Sequence, residues 1–239
     1  MKKNIGMIIA GGIGARTHQD IPKQFIHVHD VPVIIYTMQA FQNHPEIDAI
    51  EVVCLEGWDN VVWAYSKQFG ISKLENIVTG GETGQDSIRN GLKDLATRYH
   101  DDDIVLIHDA IRPMVSADII SDNIRVCRDK GNAITAIPCT SVMLQTDDAI
   151  VSYKQIPRDN LKITQTPQAF FLNELIEVHK KAITIDLLPS IASCALYIEM
   201  GMPVYLSKGS EKNIKITTSE DIEIFQSLLE SKRPSWLKQ

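Results

Sequence analysis

The sequence predicts an α/β protein: a mostly parallel sheet with helices on both faces and a protruding β-arm. Three observations lead to this prediction. Strand-like apolar runs alternate with segments of helical periodicity, the pattern of a parallel sheet covered on both sides. The strand predicted at 103–108 has an unbroken apolar centre, as a strand buried on both faces does. Helical periodicity disappears between about 138 and 163, where alternation around a turn at 146–148 indicates the arm.

The first half of the chain contains the predicted parallel strands and the helices that connect them. Apolar runs predict strands at 5–10, 49–55, 75–78 and 103–108. Helical apolar stripes predict helices from Pro32 to about His44, near 58–69, after a cap at Asp86 or Ser87, and from a cap at Ser116 to before Gly131.

The second half is predicted to close the sheet after the arm. It contains strands at 133–137, 203–207 and 213–217, helices at about 172–182 and 190–200, and a final helix capped by Thr218. The tail after Pro234 is predicted to fray. Because no repeat, linker or low-complexity tract interrupts the chain, residues 1–239 are predicted to form one domain.

Composition excludes several classes of protein. Among 239 residues, 44% are apolar, enough for a sizeable core. No apolar run reaches the about 18 residues of a membrane span, and the start lacks the features of a signal peptide. A net charge of −6 argues against a broad nucleic-acid surface. The four widely spaced cysteines are interpreted as buried thiols in a reducing compartment, so we predict a cytoplasmic protein without nucleic-acid or membrane partners.

The first predicted strand ends in a glycine-rich loop of the kind that binds phosphate. Ala10 is followed by Gly11, Gly12 and Gly14, and then by the cations Arg16 and Lys23. Backbone N–H groups in such a loop can approach phosphate oxygens closely. We therefore predict a nucleoside triphosphate site in a Rossmann-like domain.

Two other interpretations of this loop were considered. The spacing of Gly12, Gly14 and Thr17 is close to a dinucleotide fingerprint, but that site needs an acidic residue about 20 positions further on. Here the second strand ends at Glu56, about twice as far away. A glycine-rich turn without a ligand is the other alternative. A Walker A loop is excluded because no Gly-Lys-Ser/Thr follows.

Polar and glycine residues also follow other predicted strands. They are Gly80 and Gly81, which lead to Asp86 and Ser87; Asp109 and Arg112, after the strand 103–108; and Lys215, near the C-terminus. In open α/β sheets, ligands bind beyond the carboxyl ends of the strands. We therefore expect these side chains to converge on the glycine-rich loop.

These residues resemble the nucleotidyltransferases that make CDP-alcohols, a family that includes 2-C-methyl-D-erythritol 4-phosphate and ribitol-5-phosphate cytidylyltransferases. The matching pieces run in order through most of the domain: Ala10–Arg16, Pro22–Gln24, Gly80–Gly81, Asp86–Ile88, His108–Pro113, Arg158, Gln165–Gln168 and Asn213–Thr217. Each piece is short, but the ordered set is specific.

The resemblance implies that CTP and a sugar-alcohol phosphate react to give a CDP-alcohol and pyrophosphate. It assigns catalysis to Arg16, Lys23 and Lys215, and nucleotide binding to Ala10, Gly11, Gly12, Gly14, Gly80, Gly81, Asp86, Ser87 and Asp109. It also implies that Arg112 and Arg158 bind the acceptor phosphate and that Asp109 holds Mg²⁺. In the family the arm crosses to a second subunit, which implies a homodimer.

Four positions depart from the family pattern. The chain has Gly84 where an Arg is usual, Ser141 and Val142 where Asp-Thr is usual, and Ile191 and Ala192 where Thr-Asp is usual. Lys212 stands where the methylerythritol branch has an Asp. The double glycine and the ending Asn-Ile-Lys-Ile-Thr-Thr are more similar to the ribitol branch. We therefore predict ribitol 5-phosphate, for cell-wall or capsule synthesis, with methylerythritol phosphate of isoprenoid synthesis as the alternative.

Two rival functions remain open at this point. A sugar-1-phosphate nucleotidyltransferase using UTP or GTP shares the glycine-rich start, but we do not expect it to have the arm with Arg158 and Thr-Pro-Gln. The other is a non-catalytic nucleotide-binding protein, and the four departures are the only features that support it.

Overall fold

The computed structural model describes residues 2–12, 21–187 and 192–231. Its strands are β1 Asn4–Ala10, β2 His27–Val28, β3 Val31–Pro32, β4 Ala49–Cys54, β5 Leu74–Thr79, β6 Ile104–Asp109, β7 Asn132–Pro138, β8 Met143–Gln145, β9 Lys154–Ile156, β10 Lys162–Phe171 and β11 Leu206–Lys208. Its helices are α1 Val33–Gln42, α2 Asp59–Gln68, α3 Gly84–Leu95, α4 Ala117–Lys130, α5 Leu172–Thr184, α6 Ser193–Glu199 and α7 Ser219–Glu230.

Seven strands form the central sheet in the order β11-β7-β10-β6-β1-β4-β5. β1 pairs in parallel with β4 and β6, and β4 pairs in parallel with β5. β10 is antiparallel to both β6 and β7. The sheet is therefore mostly parallel, as predicted, and the carboxyl ends of β1, β4, β5 and β6 lie at one edge.

The antiparallel strand β10 was not assigned from the sequence. Its middle contains Pro167, and proline normally argues against a central strand. The chain accommodates this residue with a cis Thr166–Pro167 bond and a shift in register between Thr164 and Gln168. This irregular stretch brings Gln165, Thr166 and Gln168 to the edge where the parallel strands end.

Helices cover both faces of the sheet and bury separate apolar layers. On one face, Phe41 of α1, Val62 of α2 and Ile120 of α4 pack in one cluster. On the other face, Leu92 of α3 and Leu175 of α5 pack together with Tyr197 of α6. A smaller cluster joins Phe225 of α7 to Ile111 and Ile216. These layers confirm the predicted fold class.

The structure corrects three predicted elements: the start of α3, the position of a strand, and a strand that is absent. Thr83 caps α3, because its side chain accepts from the Asp86 N–H while the Asp86 carboxylate accepts from the Thr83 N–H. The predicted strand at 203–207 is displaced to β11. Residues 213–217 are not a strand. This segment is held instead by a bond from the Ile216 N–H to the Ile111 carbonyl of the loop after β6.

Other predictions match the structure or lie outside its described residues. α7 begins after a Thr218 cap, as predicted. All four cysteines are buried free thiols. The described helices include none with the length and apolar character needed to cross a membrane. The tail after Pro234 and the start of the helix predicted at 190–200 are outside the described residues.

The β-arm is present and occupies residues 139–161, between β7 and β10. β8 and β9 pair antiparallel within it, with Met143 opposite Ile156. Asp148 organises the turn by accepting from the N–H groups of Ile150 and Val151. The arm exposes large apolar side chains, and Ile150 and Tyr153 are 90% and 96% accessible.

Candidate active site

A cavity of about 620 Å³ lies beyond the carboxyl ends of β1 and β6. Residues from both elements line it together with the start of α3. The predicted nucleotide-binding residues that line it are Ala10, Gly11, Gly12, Gly81, Ser87 and Asp109, and the predicted catalytic residues Lys23 and Lys215 line it as well. The fold therefore brings together residues from positions 10 to 215, as the sheet-edge argument predicts.

The glycines let the loop after β1 pack against the start of α3. A Cβ at Gly11 would lie 3.1 Å from the Ser87 Oγ, and one at Gly80 would lie 3.0 Å from the same atom. A Cβ at Gly81 would lie 2.3 Å from the Asp86 Cβ. The Ser87 hydroxyl accepts from the Gly81 N–H and donates to the Thr83 carbonyl. Ser87 therefore fixes the loop between β5 and α3 by these two bonds, and the loop after β1 packs against it at Gly11.

Gln24 is a positioning residue of this cavity that the sequence reasoning left without a role. It lies in the 3₁₀ turn Lys23–Phe25 and is almost fully buried. Its Nε2 donates to the carbonyls of Ala10, at 2.7 Å, and Gly12, at 3.1 Å. These bonds fix the exit from β1. The signal in the sequence that could have found them is a glutamine placed between the predicted cation Lys23 and the apolar residues Phe25 and Ile26.

A second cavity of about 350 Å³ adjoins the first. The two share the lining residues Ile9, Gly84, Asp109 and Lys215. The second cavity adds Arg112 from the loop after β6, polar residues of β10, and the beginning of α6. Asp109 and Lys215 thus stand at the boundary between two compartments.

Asp109 carries its negative charge between two cations. Its Oδ1 lies 3.2 Å from the Lys215 Nζ, and its Oδ2 accepts from the Arg112 Nε at 2.9 Å. Burial on its own would raise the pKa of Asp109, but Lys215 and Arg112 outweigh it and hold that pKa below its ordinary value. The carboxylate is therefore ionised at neutral pH while 22% of its side chain remains exposed.

Buried amides hold Arg112 in this position. The Arg112 Nη1 donates to the Asn213 carbonyl at 2.8 Å. The Asn213 side-chain amide donates to the carbonyl of Thr166 at 2.9 Å. The Thr166 hydroxyl in turn accepts from the Asp109 N–H at 3.0 Å. The segment before Lys215 is therefore tied to β10 and β6 without being a strand.

His108 lies beneath this cluster and is fully buried. Its Nε2 lies 3.2 Å from the Arg112 carbonyl. Burial lowers the pKa of His108 to about 4. The ring is therefore neutral at pH 7 and lines neither cavity.

Several predicted site residues lie elsewhere. Gly80 and Asp86 pack behind the first cavity without lining it, and Asp86 also pairs with Arg89. Arg158 is in the 3₁₀ turn Arg158–Asn160 of the β-arm, lines neither cavity, and donates to the Thr140 carbonyl. Arg16 and Gly14 lie outside the described residues.

The departures from the family pattern fall into three places. Gly84 lines both cavities, Ala192 lines the second, and a Cβ at Gly84 would meet nothing within 4 Å. Ser141 and Val142 are exposed in the β-arm, and Lys212 is exposed in the segment before Lys215. Ile191 lies outside the described residues.

The residues present are compatible with one hard cation. Among residues 2–12, 21–187 and 192–231, no three His, Cys, Asp or Glu side chains form a metal-binding group. Mg²⁺, however, is commonly held by one or two carboxylates together with substrate phosphates. Asp109, ionised and shared by both cavities, provides such a carboxylate.

Comparisons with known proteins agree on one family. Residues 5–231 match the family described as 2-C-methyl-D-erythritol 4-phosphate cytidylyltransferase, IspD. The chain is 38% identical over 228 residues to a ribitol-5-phosphate cytidylyltransferase of Lacticaseibacillus paracasei, covering 95% of this chain and 97% of that protein. It is 36% identical over 231 residues to a 2-C-methyl-D-erythritol 4-phosphate cytidylyltransferase of Clostridium botulinum, covering 96% and 99%.

Solved structures lead to the same conclusion. A 4-diphosphocytidyl-2C-methyl-D-erythritol synthase of Anaerococcus prevotii superposes with a TM-score of 0.83 at 25% identity, covering 96% of this chain and 99% of that chain. The Francisella tularensis IspD superposes with a TM-score of 0.77 at 30% identity, covering 94% and 100%. This chain is therefore a member of the IspD family of cytidylyltransferases.

Proposed function

We propose that this chain joins CTP and ribitol 5-phosphate, giving CDP-ribitol and pyrophosphate. One observation carries the proposal: two adjoining cavities share Asp109 and Lys215, so a triphosphate in one can meet a phosphate in the other. The glycine-lined cavity suits the nucleotide, and the cavity with Arg112 suits the acceptor.

The reaction needs charge stabilisation rather than a base. An oxygen of the acceptor phosphate attacks the α-phosphorus of CTP, a new P–O bond forms, and the bond to the β-phosphate oxygen breaks as pyrophosphate leaves. The acceptor is already anionic near pH 7, because the second pKa of a phosphate monoester is about 6. The neutral, fully buried His108 is in keeping with a site that moves no proton.

The cations of the site supply the stabilisation. Lys23, Lys215 and Arg16 balance the charge that develops on the α-phosphate and the leaving group. Arg112 binds the acceptor phosphate from the second cavity. Ala10, Gly11, Gly12, Gly14, Gly81 and Ser87 surround the nucleotide, with Gly80 and Asp86 holding the loop and helix start behind them.

Asp109 is proposed to hold Mg²⁺ at the boundary of the cavities. A cation held by Asp109 would neutralise part of the phosphate charge. Its residence there requires Lys215 and Arg112 to exchange their pairing with Asp109 for pairing with substrate phosphates. The four buried free thiols favour a reducing compartment, so we place the reaction in the cytoplasm.

Ribitol 5-phosphate is favoured over methylerythritol phosphate by similarity. Relatives at 38%, 36% and 34% identity are ribitol-5-phosphate cytidylyltransferases from Lacticaseibacillus paracasei, Vibrio parahaemolyticus and Streptococcus agalactiae, and the methylerythritol enzyme of Clostridium botulinum is 36% identical. The 38% match therefore favours ribitol 5-phosphate. The test measures pyrophosphate release with CTP and Mg²⁺ in the presence of ribitol 5-phosphate, 2-C-methyl-D-erythritol 4-phosphate or no acceptor. We expect release with ribitol 5-phosphate. Release only with the methylerythritol compound would make the alternative function correct.

We further propose that the chain works as a homodimer through the β-arm. The arm exposes Val142, Leu144, Ile150 and Tyr153, a concentration of apolar surface that favours a protein partner. Arg158 lies on the same arm, away from the cavities of its own chain. A partner that receives the arm would bring Arg158 to an acceptor site.

Mixing two variants tests this shared site. In this test, Lys23→Ala inactivates the cavities of the subunit that carries it, which form the body of the site. Arg158→Ala inactivates the β-arm that this subunit extends to its partner. If each site combines the body of one subunit with the arm of the other, exchange of subunits at equal amounts restores about one quarter of wild-type activity, because half of the dimers are mixed and each has one intact site. Sedimentation measures the dimer directly. No recovery after proven subunit exchange would contradict a shared site.

A further inference from the structure

Two buried oxygens in the second cavity have no hydrogen-bond partner among the described residues. They are the Oε1 of Gln85, near the start of α3, and the Oγ of Ser193, at the start of α6. Gln85 is 4% accessible and Ser193 is 2% accessible, and both line this cavity. Buried polar atoms in proteins almost always find a partner, so each of these atoms is available for one that the described residues do not supply.

The neighbouring amides are already engaged. The Gln165 Nε2 donates to the Ser210 carbonyl at 2.9 Å, and its Oε1 accepts from the Asn213 amide at 3.3 Å. The Gln168 Oε1 accepts from the Cys194 N–H at 3.1 Å. Gln85 and Ser193 therefore differ from these two glutamines in having a buried side-chain oxygen without a partner among the described residues.

The lining of the second cavity includes two kinds of group: cations and these two uncharged oxygens. Arg112 and Lys215 offer positive charge suited to a phosphate. Gln85 offers an acceptor, and Ser193 offers a hydroxyl that donates or accepts. A ligand that satisfies all of them carries a phosphate and several hydroxyl groups, which is the chemistry of a polyol phosphate.

We propose that Gln85 and Ser193 are specificity-determining residues that bind hydroxyl groups of the acceptor. The inference rests on the proposed function, because it takes the second cavity as the acceptor site. A hydroxyl of the acceptor donates to the Gln85 Oε1, and another pairs with the Ser193 Oγ. An acceptor that lacks one of these hydroxyls leaves a buried oxygen unpaired, and sites built to hydrogen-bond a hydroxyl reject such analogues strongly.

The test uses apolar replacements of similar size, Gln85→Met and Ser193→Ala. Ser66→Ala is the matched control, since the Ser66 Oγ on α2 is also buried without a partner but lines neither cavity. We expect kcat/KM for ribitol 5-phosphate to fall about 10- to 100-fold in each site variant, with the KM for CTP changed less than about twofold. We expect Ser66→Ala to keep wild-type kinetics.

Two further measurements separate acceptor binding from a structural role. Removing an unpaired buried oxygen does not weaken the free fold, so the Tm of each site variant should equal or exceed that of the wild type. Monodeoxy analogues of ribitol 5-phosphate complete the comparison. For the analogue that lacks the hydroxyl read by Ser193, Ser193→Ala should lose little beyond what the wild type has already lost.

The outcomes distinguish this inference from the proposed function. No pyrophosphate release by the wild-type chain with ribitol 5-phosphate would overturn both. Release by the wild type with unchanged kcat/KM in Gln85→Met and Ser193→Ala would overturn only the inference. Equal losses in kcat/KM for every deoxy analogue, together with a lowered Tm, would also overturn it, because they would indicate a structural role.

Discussion

At the scale of single residues, the paired charges around Asp109 determine what the site can do. Both carboxylate oxygens are occupied by cations, one by Arg112 and the other by Lys215. These pairs keep the cationic side chains extended at the cavity boundary before any phosphate arrives. When phosphates bind, these cations are already at the boundary and exchange one anionic partner for another instead of moving in from solvent.

Replacing Lys23 with Ala tests the catalytic role of a single cation. We expect kcat to fall about 10²- to 10³-fold, as for other preorganised groups that stabilise transition-state charge. Lys67→Ala is the control, because Lys67 is exposed on α2 and lines neither cavity. Steady-state pyrophosphate release is the measurement. Unchanged turnover in Lys23→Ala would remove Lys23 from the catalytic machinery and favour a different phosphate-binding group.

At the scale of elements, the start of α3 links folding to nucleotide binding. Thr83 and Asp86 form a capping box, and Thr83 and Ser87 both line the first cavity. The reciprocal bonds orient the first turn of the helix toward the glycine-rich loop. Stability of this turn and the shape of the first cavity therefore both depend on Thr83.

Thr83→Ala should separate these contributions when compared with Thr218→Ala, which removes the equivalent capping box of α7. Each change should cost about 1 kcal/mol of stability, the usual loss for an N-cap. Only Thr83→Ala should also raise the KM for CTP. Chemical denaturation and steady-state kinetics make the two measurements. An equal rise in KM for both variants would mean that general loosening, rather than the α3 cap, affects the nucleotide.

The strands and helices also determine how much of the fold and of the candidate site could be predicted from the sequence. Gly11, Gly12, Asp109 and Arg112 could be placed because β1 and β6 are parallel strands that end at one edge. Lys215 reaches the same edge from a segment that is not a strand, so its position was predicted from a strand that the structure does not contain. β10 could not be placed, because proline is normally excluded from central strands and Pro167 lies in the middle of this one. The strand forms nevertheless through its pairing with β6 and β7, which the local sequence does not reveal. Gln85 and Ser193 were missed for the same reason, because their shared cavity exists only after β10 and α6 have packed.

At the scale of the whole molecule, buried histidines make the fold sensitive to acid. His108 lies beneath the site. His179 of α5 faces α3, and its Nε2 has no hydrogen-bond partner in the part of the chain that the structure describes. Burial lowers the pKa of each to about 4, and the ordinary value in an unfolded chain is about 6.5. Between these values the unfolded chain binds more protons than the folded chain, so acid favours unfolding.

Stability should therefore be complete above about pH 6.5 and fall as the pH is lowered toward 4, by up to about 3 kcal/mol for each histidine. Urea denaturation between pH 4.5 and 7.5 measures the effect. His179→Gln, which cannot titrate, should lose less stability than the wild type over this range because one buried histidine fewer takes up a proton on unfolding. His108 and His44, whose pKa burial also lowers, still contribute. If the wild type and His179→Gln lost stability in parallel as the pH fell, His179 would not be held neutral by the fold, and the acid sensitivity would have to arise from other groups.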